Sequence, residues 1–453
     1  MRDKDEEPDE GARKRGADKD EDEGARLRGA DEDEGARLRG ADEDEGARLR
    51  GAALGVVALA FGLNMISRGL GETFAVFLLP VTGDLGWSRS AFSAVYAVYM
   101  TAHGLAAPLA GAVFDRFGAR AAYVPSLALY GSGFLIAAQM SQMWEAVLGL
   151  GIMVGAGVAG TGMTIASGMI SLRFRARLGL AMGLAYAGLS VGMIVFAPLA
   201  QIAVDGLGWR GAYAAMGWSM LGLAVVLGLA IPWRRLSPAP QGPVRGLFVG
   251  RAMLGQAAFW GLLGTMFFTS VSTWAVMLQL VAYLTEQGFA PLAAATAYGA
   301  VGAMSVFGVV GMGWLTDRFG RRRVVTISYG MTVAGVGLLW AMDLAAAPVL
   351  LAAFVPVFGL TMGARGPVVS TLVARLYPGN VGAVFGAVTL GLGLGAATGG
   401  FLSGLLHDLT GGYGAVFALA ILAALAGLAP YWALRPLATG TWPMKEGRDG
   451  PGT

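Results

Sequence analysis

Four ionisable side chains fall inside long apolar runs of this chain: Arg68, Glu72, His103 and Arg365. A charge held away from water is costly, so each such group is a functional candidate. Arg68 and Glu72 are four residues apart and share one face of a helix. A guanidinium there can grip an anionic group through two parallel hydrogen bonds. A carboxylate beside it can neutralise it or carry a proton. The plainer reading of the two is a mutually neutralised structural pair. Arg365 lies between Gly363 and the Gly366-Pro367 step, residues that loosen a helix and free backbone groups. Its plainer reading is a side chain that reaches back to the membrane surface. His103 reads first as a packed, hydrogen-bonded residue and second as part of a proton path. Asn64, on the run that holds Arg68 and Glu72, and Gln279 and Tyr283, on the run near 255–285, are polar residues that can complete a site.

The elements that must position these groups are membrane spans. The spacing of apolar runs predicts twelve, near 53–79, 91–111, 121–140, 145–169, 179–203, 210–231, 255–285, 292–315, 323–342, 348–372, 380–406 and 413–436. Most run to about 20–27 residues, enough for a ~30 Å hydrocarbon core. In lipid such runs must be helices, because every backbone group has to be paired internally. The breaks after spans 2, 4, 6, 8 and 10 carry Arg116, Arg120, Arg173, Arg175, Arg177, Arg234, Arg235, Arg245, Arg251, Arg318, Arg321, Arg322, Arg323 and Arg375. The opposite breaks carry only Arg89 and Arg210. Positive residues stay inside, so both termini are expected in the cytoplasm.

Composition excludes other classes. The chain is 55% apolar and 14% charged, with mean hydropathy +0.59. Residues 1–50 are net −7 and the remainder net +10. That basic excess belongs to membrane-flanking loops and implies no nucleic-acid partner. There is no Cys and only two His, His103 and His407, so neither a disulfide nor a metal centre is expected. No Ser/His/Asp group or paired-carboxylate cluster suggests an enzyme. The unit starting at Gly29 repeats at Gly40, with too few apolar residues to offset the cost of ordering. The expected organisation is a disordered tail (1–52), a six-helix lobe (53–231), a linker (232–254), a second six-helix lobe (255–436) and a C-terminal tail (437–453).

The two halves are copies. Gly111-Ala-Val-Phe-Asp115-Arg116-Phe-Gly118-Ala-Arg120 returns as Gly313-Trp-Leu-Thr-Asp317-Arg318-Phe-Gly320-Arg-Arg322, 202 positions on. Gly86 matches Gly288, Arg173 matches Arg375, and Asp205 matches Asp408 at 202 or 203. Internal repeats of this size are typical of transporters that move one half against the other around a midplane site. The duplicated loop resembles the motif of the major facilitator superfamily. The resemblance implies an all-α integral membrane fold of two six-helix lobes, with spans 1, 4, 7 and 10 lining the cavity. It also implies that Asp115, Arg116, Arg120, Asp317, Arg318 and Arg322 form a cytoplasmic gating latch. The intramembrane charges do not follow the repeat: Arg68 matches Ser270, Glu72 matches Trp274 and Arg365 matches Met163. Duplicated residues support the fold; unduplicated charges suit a substrate.

Phe74-Ala-Val-Phe77-Leu-Leu-Pro80, Gly86-Trp-Ser-Arg89 and residues 179–210 are similar to the monocarboxylate transporter group and its bacterial relatives, including oxalate/formate exchangers. That group's span 8 acid and arginine fall here at Ser305 and Val309, and its span 1 lysine at Glu72. Its proton and carboxylate site is therefore not carried over residue by residue. The expectation is a secondary transporter of small organic anions, a monocarboxylate or dicarboxylate, working by alternating access. Arg68, Glu72, Arg365, Asn64, Gln279 and Tyr283 are its substrate-binding set. No cofactor is expected beyond a coupled proton at Glu72. The expected partners are the lipid bilayer and the anion, with a monomer in a bacterial inner membrane. The alternatives are efflux of hydrophobic or cationic compounds and, from another class, a non-transporting membrane sensor.

Overall fold

The computed structural model describes residues 54–174, 178–233, 251–344, 347–377 and 381–441. The repeat tail, most of the 232–254 linker with Arg234, Arg235 and Arg245, Arg175 and Arg177, and most of the C-terminal tail lie outside the described residues. So does the side chain of Asp317. Among the described residues all regular structure is helical. Among the described residues, ten helices are long and apolar enough to cross a membrane. One of them, Ala181–Ala230, has 50 residues and at 1.5 Å per residue would reach ~75 Å if straight. It divides at Gly208, whose backbone leaves the helical region (φ 70°, ψ 167°), into the expected spans 5 and 6.

Three of the four spans expected to line a cavity are irregular. Span 1 is helical over 54–71, breaks at Glu72–Thr73 and resumes as Phe74–Leu85. Span 4 carries a π-helical stretch, Val147–Val154, and breaks at Gly162. Span 10, expected near 348–372 with a loosened helix around Gly363, Gly366 and Pro367, is the most broken. It consists of two short helices, Pro348–Gly359 and Gly366–Leu376, separated by a turn with Gly363 at φ 75°. Gly363 supplies the left-handed backbone and Pro367 cannot donate to a continuing helix. Span 7 is unbroken over Ala257–Glu286. Broken helices at membrane depth free backbone groups where a ligand site needs them.

Small residues set the packing, and the repeat makes it twofold. A Cβ on Gly192 would come within 2.2 Å of the Met65 carbonyl oxygen, and one on Gly188 within 2.4 Å of that of Phe61. In the second half, Gly395 is as close to the Phe267 carbonyl, 2.2 Å, and Gly391 packs on Leu263. Spans 1 and 5 therefore touch backbone to backbone, as do spans 7 and 11. Such approach replaces the hydrophobic drive that lipid removes. The halves meet through spans 2 and 11 and spans 5 and 8: Gly400 lies against Tyr96, Gly404 against Ser93, and Gly299 against Met193.

Candidate substrate site between the halves

Arg68 Nε lies 2.7 Å from Glu72 Oε1, as the i, i+4 spacing requires. The two differ in exposure. The Glu72 side chain is 1% accessible and that of Arg68 24%. Glu72 closes the end of the first helix of span 1, its N–H still bonded to the Arg68 carbonyl at 3.0 Å. Tyr96 donates its hydroxyl to Glu72 Oε2 at 3.4 Å. Phe74, Tyr96 and Tyr99 pack against one another beside the pair. Trp274 of span 7 lies against Tyr96 and 5.9 Å from the Arg68 guanidinium. Tyr298 of span 8 donates its hydroxyl to the Glu72 carbonyl at 2.9 Å. Both halves of the molecule thus build the surroundings of one ion pair.

The other expected residues divide. Asn64 is buried one turn before Arg68, its Nδ2 bonded to the Ala60 carbonyl at 2.8 Å and its Oδ1 without a partner. Gln279 is buried where spans 2, 7 and 11 meet, its Nε2 3.3 Å from Ser403 Oγ, with Oε1 unpartnered. Tyr283 is turned away from the pair and bonds the Leu339 carbonyl and Asp343. Arg365 is fully buried in the second half. Its Nη2 donates to the Ser328 carbonyl at 3.0 Å and to Thr332, and its guanidinium covers the Tyr329 ring at 3.8 Å. Those partners belong to span 9, and none of them touches Arg68 or Glu72. Among the described residues no carboxylate lies within 4 Å of Arg365, and its Nε has no hydrogen-bond partner.

At the loop motif, Gly118 and Gly320 have φ of 82° and 83°, and their N–H groups close the preceding helices on Phe114 and Thr316. Arg116 and Arg318 lie over aromatic rings beside them, and Arg322 lies 3.6 Å above Trp432. Among the described residues, Asp115, Arg116, Arg120, Arg318 and Arg322 join no ion pair. No latch is engaged there among those residues.

The opposite end, here called the far face, is tied. The Asp408 carboxylate of span 11 accepts from the N–H groups of Arg89 and Ser90, at 3.3 and 2.7 Å. It caps the N-terminus of span 2, where unpaired donors and the helix dipole favour an anion. The Arg89 guanidinium reaches Glu286 and Tyr413 of the second half. Asp84 and Arg210 make a similar pair within the first half. This cluster went unassigned in the sequence, but the repeat held a signal. Asp84 matches Glu286 at 202 and Arg210 matches Tyr413 at 203. The second half has Tyr413 at that arginine's matched position, and Arg89 supplies a guanidinium from across the interface.

Broken midspan helices around a buried ion pair, in a twice-built helical bundle, define a multi-pass membrane transporter. The family model described as Major Facilitator Superfamily matches residues 57–314 and 303–451. Monocarboxylate transporter 13 of Bos taurus is 28% identical over 377 residues, 82% of this chain and 87% of the relative. Monocarboxylate transporter 11 of Homo sapiens is 30% identical over 389 residues, 80% of this chain and 79% of the relative. A fungal protein, MFS transporter asaE of Aspergillus flavus, is 29% identical over 315 residues, 67% of this chain and 68% of the relative. The chain belongs to the major facilitator superfamily and is of the monocarboxylate-transporter type; it is a transporter and not an enzyme.

Proposed function

We propose that the protein is a secondary active transporter of small organic anions, a monocarboxylate or dicarboxylate, and that Glu72 carries a coupled proton. The observation that carries this reading is the Arg68–Glu72 pair at midspan between the two halves, with its carboxylate buried and its guanidinium partly accessible. A carboxylate entering the site competes with Glu72 for Arg68. Once Glu72 takes up a proton, it releases Arg68 to the substrate, and the loaded site stays neutral enough to cross lipid-depth surroundings. Charge compensation of this kind makes anion and proton move together. Arg365, with an N–H to spare and no carboxylate at hand, is the second half's candidate for an anionic group.

Alternating access follows from the same arrangement. The tied far face is extracellular and the motif face cytoplasmic, with both termini inside and the membrane a bacterial inner membrane. We assign this arrangement to the inward-facing state, in which the described motif side chains join no ion pair. Turning outward breaks the Arg89–Glu286 and Asp408 contacts and engages Asp115, Arg116, Arg120, Asp317, Arg318 and Arg322.

Efflux of a hydrophobic cation is the second reading, favoured by Trp274 and the tyrosines grouped around Glu72. Substitution separates the two. Under the anion reading, Arg68→Ala abolishes carboxylate uptake into proteoliposomes and Glu72→Gln abolishes its pH dependence. Unchanged carboxylate kinetics in Arg68→Ala, with cation transport lost in Glu72→Gln, would replace it by the efflux reading.

A further inference from the structure

The span 1 break is held from the other half of the molecule. In an unbroken helix the Glu72 carbonyl would accept from the Val76 N–H. Here that N–H bonds the Thr73 carbonyl at 2.8 Å. The freed Glu72 carbonyl accepts instead from Tyr298, whose hydroxyl lies 2.9 Å away. Tyr298 is 1% exposed, so no bulk water can take its place. A backbone carbonyl left without a partner away from water is strongly disfavoured. The break therefore persists only while Tyr298 is present, and Tyr298 belongs to a helix that must shift if the halves move.

A second tyrosine makes the same bond without crossing halves. Tyr130 of span 3, also fully buried, donates to the Ser67 carbonyl of span 1 at 2.9 Å. Gly71 leaves no room for adjustment: a Cβ there would sit 2.5 Å from the Tyr99 hydroxyl. Span 1 is thus clamped on both sides of Arg68, by its own half at Ser67 and by the opposite half at Glu72.

We propose that the Tyr298 hydroxyl is a positioning group for the Arg68–Glu72 pair, so that the pair is set only while the halves are together at the far face. The inference rests on reading that pair as the transport site. When the halves part, Tyr298 withdraws. The Glu72 carbonyl then recovers the Val76 N–H, the helix closes through residues 72–73, and the carboxylate turns relative to Arg68. Opening of the far face and release of Glu72 become one event.

The chain contains no Cys, so paired cysteines can be spin-labelled without background. Leu207 and Leu409 are exposed at the far face, one in each half. The test places labels at Leu207→Cys and Leu409→Cys and compares Tyr298→Phe with Tyr130→Phe. Each substitution removes one hydroxyl and keeps its ring. Loss of one hydrogen bond should move the open-to-closed ratio roughly fivefold. The expected result is a longer-distance population in Tyr298→Phe and none in Tyr130→Phe, with the pH midpoint of labelled pyruvate uptake displaced only in Tyr298→Phe. An unchanged distribution in Tyr298→Phe, or the same change in both variants, overturns the proposal. If pyruvate and succinate are not carried at all, the anion reading falls, while the label distances still decide the role of Tyr298.

Discussion

Replacing Glu72 by Gln keeps shape and removes one charge, which leaves Arg68 without its counter-ion. The two groups are 2.7 Å apart, and at an effective dielectric constant of about 20 their attraction is roughly 6 kcal/mol. Much of that is offset by desolvation of both charges, so the pair's net worth is far smaller. Breaking a buried pair from one side costs about 3–5 kcal/mol. Arg68 keeps 24% side-chain accessibility, so the low end, about 3 kcal/mol, is expected for Glu72→Gln. The guanidinium cannot shed its charge to escape. A carboxyl can take up a proton, so Arg68→Met should cost less, about 2 kcal/mol, and less still at low pH. The double variant Arg68→Met, Glu72→Leu puts apolar groups at both positions and should lie within about 1 kcal/mol of wild type. Denaturation in mixed detergent micelles, run as a double-mutant cycle whose singles are Arg68→Met and Glu72→Leu, the latter stranding Arg68 as Glu72→Gln does, should give a coupling of about 4–6 kcal/mol. Additive losses, with the double variant as unstable as the sum of the singles, would refute the pairing.

Three further outcomes follow. Asp408→Asn and Arg89→Ala should lengthen the distance between spin labels at positions 207 and 409, whereas Arg210→Ala, whose pair with Asp84 stays within one half, should not. Gly192→Val should abolish folded protein, since a Cβ there would fall 2.2 Å from the Met65 carbonyl. Gly83→Ala, in open space, should express like wild type on size-exclusion chromatography. Arg365→Lys keeps the charge but loses the planar fork, so uptake should survive with a raised KM, while Arg365→Met should lose both uptake and about 2–4 kcal/mol of stability through the emptied contacts at Ser328 and Thr332.

Much of this architecture was legible because membrane-spanning helices declare themselves by length and hydropathy. The repeat then tied distant segments together. The pairing of Arg68 with Glu72 was readable from i, i+4 spacing alone. The broken span 10 was not: Gly363 and Pro367 signalled irregular backbone, but where the helix stops depends on packing against span 9. Tyr283 looked like a site residue because it is polar on a cavity-facing span, yet tertiary contacts turn it to Leu339 and Asp343. Tyr298 and Arg89 gave no local signal. Their partners lie 226 and 319 residues away in sequence, and nothing short-range encodes such contacts.

The central claim is that Arg68 binds a transported carboxylate in competition with Glu72. Its most direct test is uptake of labelled pyruvate and succinate by proteoliposomes under an imposed inward proton gradient, with wild type and Arg68→Ala side by side. The account predicts saturable, gradient-stimulated uptake of at least one acid by the wild type and none by the variant. Equal uptake by both, or transport of a hydrophobic cation with no carboxylate uptake, would contradict it.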